Sequence, residues 1–138
     1  MKRWVLTVLF LAVTMSSGLR ADSSDQAAAH EIIRAQMQAF QTDDANVAFA
    51  FASPELQTKF GSPAVFMDMV KSGYAPVYRP RAVEFRDWVD SPGGPEQQVF
   101  VIGPDGRGYI AHYMMERQPD GSWRISGCYL EPLGEESV

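Results

Sequence analysis

The chain has 138 residues, 17 acidic against 12 basic side chains, a formal net charge of −5 and a single cysteine. An acidic chain repels phosphate backbones, which argues against a nucleic-acid partner. One thiol cannot close an internal disulfide, and Cys128, inside an apolar run, reads as a buried, inert small hydrophobe.

Met1-Lys2-Arg3 is a short basic start, and Trp4 to Met15 is almost unbroken apolar sequence. Small and polar residues follow up to Ala21, the n-region, h-region and cleavage-site pattern of a secretory signal peptide over residues 1–21. Cleavage after Ala21 fits best, with Gly18 as the alternative. The mature domain is then residues 22–138, periplasmic or secreted, and losing Lys2, Arg3 and Arg20 takes its charge to −8. No later apolar run is long enough to span a bilayer, so the mature form has no membrane partner. About 117 residues make one ordinary domain with a core that needs no staples.

Ser23, Ser24 or Asp25 can cap the first helix. Over residues 28–41 Ala28, Ala29, Ile32, Ile33, Met37 and Phe40 form one apolar stripe at i, i+3, i+4 spacing. Thr42-Asp43-Asp44 breaks it and caps a second helix, 45–52, apolar nearly all round and therefore expected between other layers. Ser53-Pro54 and Ser62-Pro63 each place Ser at N-cap and Pro at N1 of a further helix. In the second of these, residues 63–72, Val65, Phe66, Met69 and Val70 form the inward face, with Gly73 as C′ glycine. Two prolines in residues 74–80 rule out helix there and predict an extended crossing segment.

The rest is an antiparallel meander. Strands are expected at 81–90, about 97–102, 107–117 and 122–130, the last three separated by Gly103-Pro104-Asp105-Gly106 and Gln118-Pro119-Asp120-Gly121. Pro presets φ and Gly tolerates φ > 0, so each signal reverses the chain. In the first strand Val83, Phe85 and Val89 alternate against Glu84, Arg86 and Trp88. In the last, Trp123, Ile125 and Tyr129 face one way, Arg124 and Ser126 the other. The two middle strands are apolar on both faces: Val99, Val101, Tyr109, Ala111 and Tyr113 on one, Phe100, Ile102, Ile110 and Met114 on the other. Helices on one side leave the second face wet, and a symmetric partner subunit is its simplest cover. The fold class is α+β, N-terminal short helices packed on a curved four-stranded antiparallel sheet.

This layout resembles the nuclear transport factor 2-like (cystatin-like α+β) fold, a cone of helices wrapped by a sheet. The stretches AFQTDDANVAFAFASPELQTKFGSPAVFMDMVKSGYAPVYRP and ERQPDGSWRISGCYL resemble a bacterial exported family catalogued as domain of unknown function 4864, over about residues 28–131. The resemblance implies the fold and export. It implies no activity, and it carries no functional residues over.

Enzymes of that broad fold, such as ketosteroid isomerase, set acidic, His and Tyr groups inside the cone. The acid–base candidates here are Asp43, Asp44 and His112, with Tyr113 as a partner. Capping accounts for both aspartates. His112 points away from Tyr113 and belongs to the presumed dimer face. Arg79, Arg81 and Arg86 form a basic patch that could hold a carboxylate or phosphate, though mixed-sign neighbours also suit a solvated strand start. Phe85, Tyr109, Tyr113, Trp123 and Tyr129 lie on comparable strand phases; they fill the core or line a ligand cavity. His30 and His112 are separated and lack a cysteine cluster, so no metal site is expected, and no cofactor motif occurs. The leading expectation is a non-catalytic module, a homodimer binding a small apolar or amphipathic ligand or a protein partner. An isomerase- or dehydratase-like enzyme and a structural or assembly role through the sheet face are the alternatives.

Overall fold

In the computed structural model, which describes residues 18–134, both Pro-Asp-Gly signals become tight turns built the same way. Gly106 and Gly121 take φ of 81° and 86°. Asp105 and Asp120 each accept the backbone N–H two residues on, from Arg107 and Ser122. The meander is β1 (Ala82–Ser91), β2 (Gly94–Ile102), β3 (Gly108–Arg117) and β4 (Trp123–Pro132), in that spatial order, antiparallel throughout. Five helices precede it: α1 (Gly18–Gln41), α2 (Ala45–Ala50), α3 (Pro54–Phe60), α4 (Pro63–Gly73) and α5 (Ala75–Tyr78). The expected signal peptide lies outside the described residues up to position 17. None of the described helices is long and apolar enough to cross a membrane.

α1 lies against the sheet and against α2 and α5, with Ala29, Ile33, Met37 and Phe40 buried. It starts at Gly18, upstream of the expected caps at 23–25. Its end is a Schellman motif: Asp43 N–H donates to Phe40 and Asp44 N–H to Ala39 (2.8 Å). Asp43 holds the left-handed C′ position, φ 54°, that glycine usually takes. Asp44 caps α2, and Ser53 and Ser62 cap α3 and α4, each accepting the N–H three residues on.

Four details depart from the sequence expectation. α2 is not sandwiched: only Ala48 is buried and Val47 is 44% exposed, because six residues give too little surface to meet more than one layer. On α4, Met67 takes the inward place expected of Val65, which is 51% exposed, and Gly73 is the last helical residue. Residues 75–78 form one helical turn, since Pro76 sits in its first turn, where a missing N–H costs nothing.

The fourth concerns strand phase. β1 carries two residues, Arg86 and Asp87, opposite Gln98, so Trp88 joins the inner face of Phe85 and Val89 leaves it. In β4, Met114 pairs Gly127 and Met115 pairs Ile125, leaving Ser126 as the extra residue. Trp123 and Ile125 are therefore inside, at 7% and 4% exposure, but Cys128 follows them in and Tyr129 turns out, 52% exposed. The expectation that Tyr129 shares a face with Trp123 fails because a bulge moves the alternation by one. Trp88 packs edge-on against Trp123, ring centroids 5.9 Å apart. Gln97, fully buried, donates to the carbonyl of Arg86 in the first bulge (3.0 Å) and meets His30 of α1 through its Oε1 (3.1 Å).

The phase shift separates two aromatic truncations. Trp123→Ala should cost about 3–5 kcal/mol of unfolding free energy in urea titration. Tyr129→Ala should cost about 1 kcal/mol, the loss of one ring stack. Equal costs would mean that β4 keeps one phase throughout.

Candidate functional site

Helices cover the inner face from β2 to β4, while Val83 of β1 stays 40% exposed beside a shallow recess against α1. Just past the bulge in β4, a cavity of about 250 Å³ remains between the helical half and β3–β4. Its walls are Phe40 of α1, Phe60 of α3, Phe66, Met69 and Val70 of α4, and Val77 of α5. Leu56, Lys59 and Ser126 also border an adjoining surface recess, so the cavity opens between α3 and the β4 bulge. The helical half is pinned there by a parallel bridge: Ile125 N–H donates to Phe51 and Ser53 N–H to Ile125, both at 2.8 Å.

Three polar side chains reach the lining from inside. Gln36 donates to the Ala48 carbonyl (3.1 Å) and Tyr74 to the Cys128 carbonyl (3.0 Å). The Tyr113 hydroxyl, fully buried, meets no oxygen or nitrogen among the described residues; its one polar neighbour is the Cys128 thiol, a weak hydrogen-bond partner. Burial, and then the neighbouring Cys128 thiol, holds the Tyr113 phenol well above its ordinary range, so it stays protonated. Burial pushes the Cys128 thiol up to about 12, which makes it inert as a nucleophile. The lining contains no carboxylate and no imidazole among the described residues. Lys59 stands at the opening with its ammonium 5.6 Å from the Phe60 ring centroid and no ion pair among the described residues; Glu55 borders the same recess.

Of the five aromatic candidates, Tyr113 alone lines this cavity. Phe85 stacks on His30, centroids 4.1 Å apart, under the Arg34 guanidinium. Tyr109 donates to Asp105 at the β2–β3 turn (2.9 Å). Trp123 packs on Trp88, and Tyr129 is on the opposite face. Asp43 is exposed and accepts from the Tyr78 hydroxyl, with Arg79 at 3.2 Å and Lys71 at 3.9 Å; the Tyr78 hydrogen bond, with those cations, lowers its pKa. Asp44 caps α2. Arg79 also donates to the Phe40 carbonyl, while Arg86 pairs Glu84 (3.3 Å) and lies over Phe100; Arg81 is exposed. No described contact brings the three arginines together. The sequence reading missed Leu56, Lys59, Phe60 and Phe66 as lining residues. Phe66 is expected on the inward face of α4, but the short α3 is given no face, so Leu56, Lys59 and Phe60 carry no expectation.

His112 is central on the outer face, which no helix covers. Its two ring nitrogens face Glu96 (3.1 Å) and Glu131 (2.8 Å), and Tyr129 stacks on it at 4.3 Å. Carboxylates only accept, so the doubly protonated imidazolium alone satisfies both. Burial disfavours that charge, but the two carboxylates outweigh it and hold the His112 pKa above its ordinary value. Burial likewise opposes the Glu96 charge, and hydrogen bonds from His112 and Gln98 overcome it, so its pKa is lowered. The described residues contain no group of three or more His, Cys, Asp or Glu able to hold a metal ion.

Residues 22–138 match the model of the family described as Domain of unknown function (DUF4864). No curated protein and no solved structure matches the chain.

The outer cluster sets a pH window. A raised His112 pKa contributes stability that is complete below the ordinary 6.5 and is lost as pH rises through the folded value. A lowered Glu96 pKa contributes stability present above the ordinary 4.5 and lost on acidification. The melting temperature should therefore fall between pH 6 and about pH 8.5 by more in the native protein than in His112→Gln. Parallel melting curves for the two proteins across that range would contradict the assignment.

Proposed function

The chain belongs to the family described as Domain of unknown function (DUF4864), a description that carries no activity, and we propose that it is a non-catalytic module whose cavity binds a small apolar or amphipathic molecule. One observation carries this reading: the Tyr113 hydroxyl is buried in a mostly apolar cavity with only the weak Cys128 thiol beside it. An unmet buried hydroxyl costs about 1–3 kcal/mol, and phenylalanine would fill the same place without that cost. A ligand group bonded to it removes the penalty. The volume, about 250 Å³, is just below the roughly 300–1,000 Å³ of sites for drug-sized ligands, so the occupant is small. A lining without a carboxylate or imidazole favours binding over the isomerase-like alternative, which needs a proton acceptor beside the substrate. Helices on one side of an open four-stranded meander support the nuclear transport factor 2-like reading, and the leader pattern of residues 1–21 supports export to the periplasm or beyond.

A second reading concerns the outer face. Phe100, Ile102 and Ile110 are half-exposed there, Phe100 directly opposite Ile110 on β2 and β3, and half-exposed Met114 lies beyond the His112 cluster, opposite Glu96. A second copy of the chain is the occupant that best matches this apolar strip, giving a homodimer through the sheet.

Two measurements test these readings. Tyr113→Phe should melt at or above the native temperature when empty, and should bind less tightly any ligand that carries a hydrogen-bonding group. A Tyr113→Phe protein that is clearly less stable when empty would mean that the hydroxyl already has its partner. Light scattering at micromolar concentration should give a dimer mass for the native chain and a monomer mass for Phe100→Arg. A native monomer would remove the second reading.

A further inference from the structure

The cavity has two different ends. Deep inside is the Tyr113 hydroxyl, protonated and with only the weak Cys128 thiol as a polar neighbour, which a better acceptor can displace. At the opening is Lys59, whose ammonium lies near the Phe60 ring and has no ion pair among the described residues, although Glu55 borders the same recess. Between them the walls are mostly rings and aliphatic chains, with Phe60 and Phe66 edge to face at 5.6 Å. A wholly apolar ligand would leave Tyr113 with the thiol alone, and a ligand polar only at its inner end would leave the cation facing water. Neither uses both features.

Resting on the binding reading above, we propose that the occupant is a compact monocarboxylic acid carrying a second hydrogen-bonding group at its far end. The carboxylate sits at the mouth against Lys59. A hydroxyl or carbonyl reaches Tyr113, and a single ring or a short chain spans the apolar walls. Among the described residues Lys59 is the cation that lines the cavity. Arg79 and Lys71 are engaged with Asp43, Arg86 with Glu84 and Arg117 with Asp25, whereas Lys59 borders the cavity itself. An acid held this way loses part of its water shell at the mouth, so the ion pair there is stronger than one on open surface. The ammonium, exposed at the opening, lies 5.6 Å from the Phe60 ring centroid, a contact that favours its staying near the mouth.

Four probes separate the two ends by calorimetry: 4-hydroxycinnamate, cinnamate, 4-hydroxycinnamyl alcohol and cinnamyl alcohol. The hydroxy acid should bind tightest. Removing the carboxylate or the phenol should each weaken binding roughly tenfold, the size of one hydrogen bond assisted by charge or burial. Lys59→Met should abolish the difference between acid and alcohol and leave the difference made by the phenol; Lys59→Arg should restore the first. Tyr113→Phe should do the reverse. Equal binding of acids and alcohols to the native protein would overturn the inference and leave the binding reading standing. Failure of all four, and of indole as a neutral apolar probe, would overturn both.

Discussion

The extra residue in β4, Ser126, is the point from which the rest of the architecture follows. A strand that kept strict alternation would send Tyr129 inward beneath the helices and Cys128 outward. The bulge exchanges them, and in doing so it places a small thiol where a phenol ring would otherwise occupy the interior. Immediately before it, Ile125 exchanges backbone hydrogen bonds with Phe51 and Ser53, tying the helical half to the sheet at that same place. Bulges are found where a strand must bend or re-aim a side chain, and here the bend coincides with the seam between the two halves.

Two consequences follow on the two faces. Inside, Cys128 is too small to fill the space left among α1, α3, α4 and α5, and Tyr113 from β3 ends in that space with its hydroxyl met only by the weak thiol. Interiors are normally close-packed and their polar atoms bonded, so a void and a weakly met hydroxyl together are a local departure from both rules. Departures of that kind concentrate where a protein binds something. Outside, Tyr129 is delivered onto His112, and the stack closes over an imidazolium held between Glu96 and Glu131. A buried charge of this sort is tolerated because both of its donors are met.

Much of the fold was legible because local chemistry repeats. The Pro-Asp-Gly turns, the Ser-Pro helix starts and the apolar stripe of α1 each have a mechanism written in a few neighbouring residues, and they located nearly every element. What was not legible depends on partners distant in the chain. Nothing near Arg86 or Ser126 announces a bulge, since the cause is pairing with β2 and β3; reading β1 and β4 at constant period therefore misplaced Trp88 and Tyr129. The site suffered for the same reason. The aromatic strand face was visible, but whether its rings line a cavity or fill the core is decided by how α3 and α4 lie across it. Phe60, Phe66 and Lys59 look like ordinary residues of short amphipathic helices until that packing is known. Asp43 illustrates the opposite case: its place before a helix suggested a cap, and it proves to end the preceding helix while anchoring Tyr78 and Arg79.

The inward turn of Cys128 is the claim on which cavity, buried hydroxyl and outer stack all depend, and the single thiol makes it directly measurable. With Ellman's reagent and no denaturant, the native protein should label many-fold more slowly than in urea, where labelling should be prompt and complete. Labelling of the folded protein as fast as that of the urea-unfolded chain would mean that Cys128 faces outward and that β4 keeps one phase.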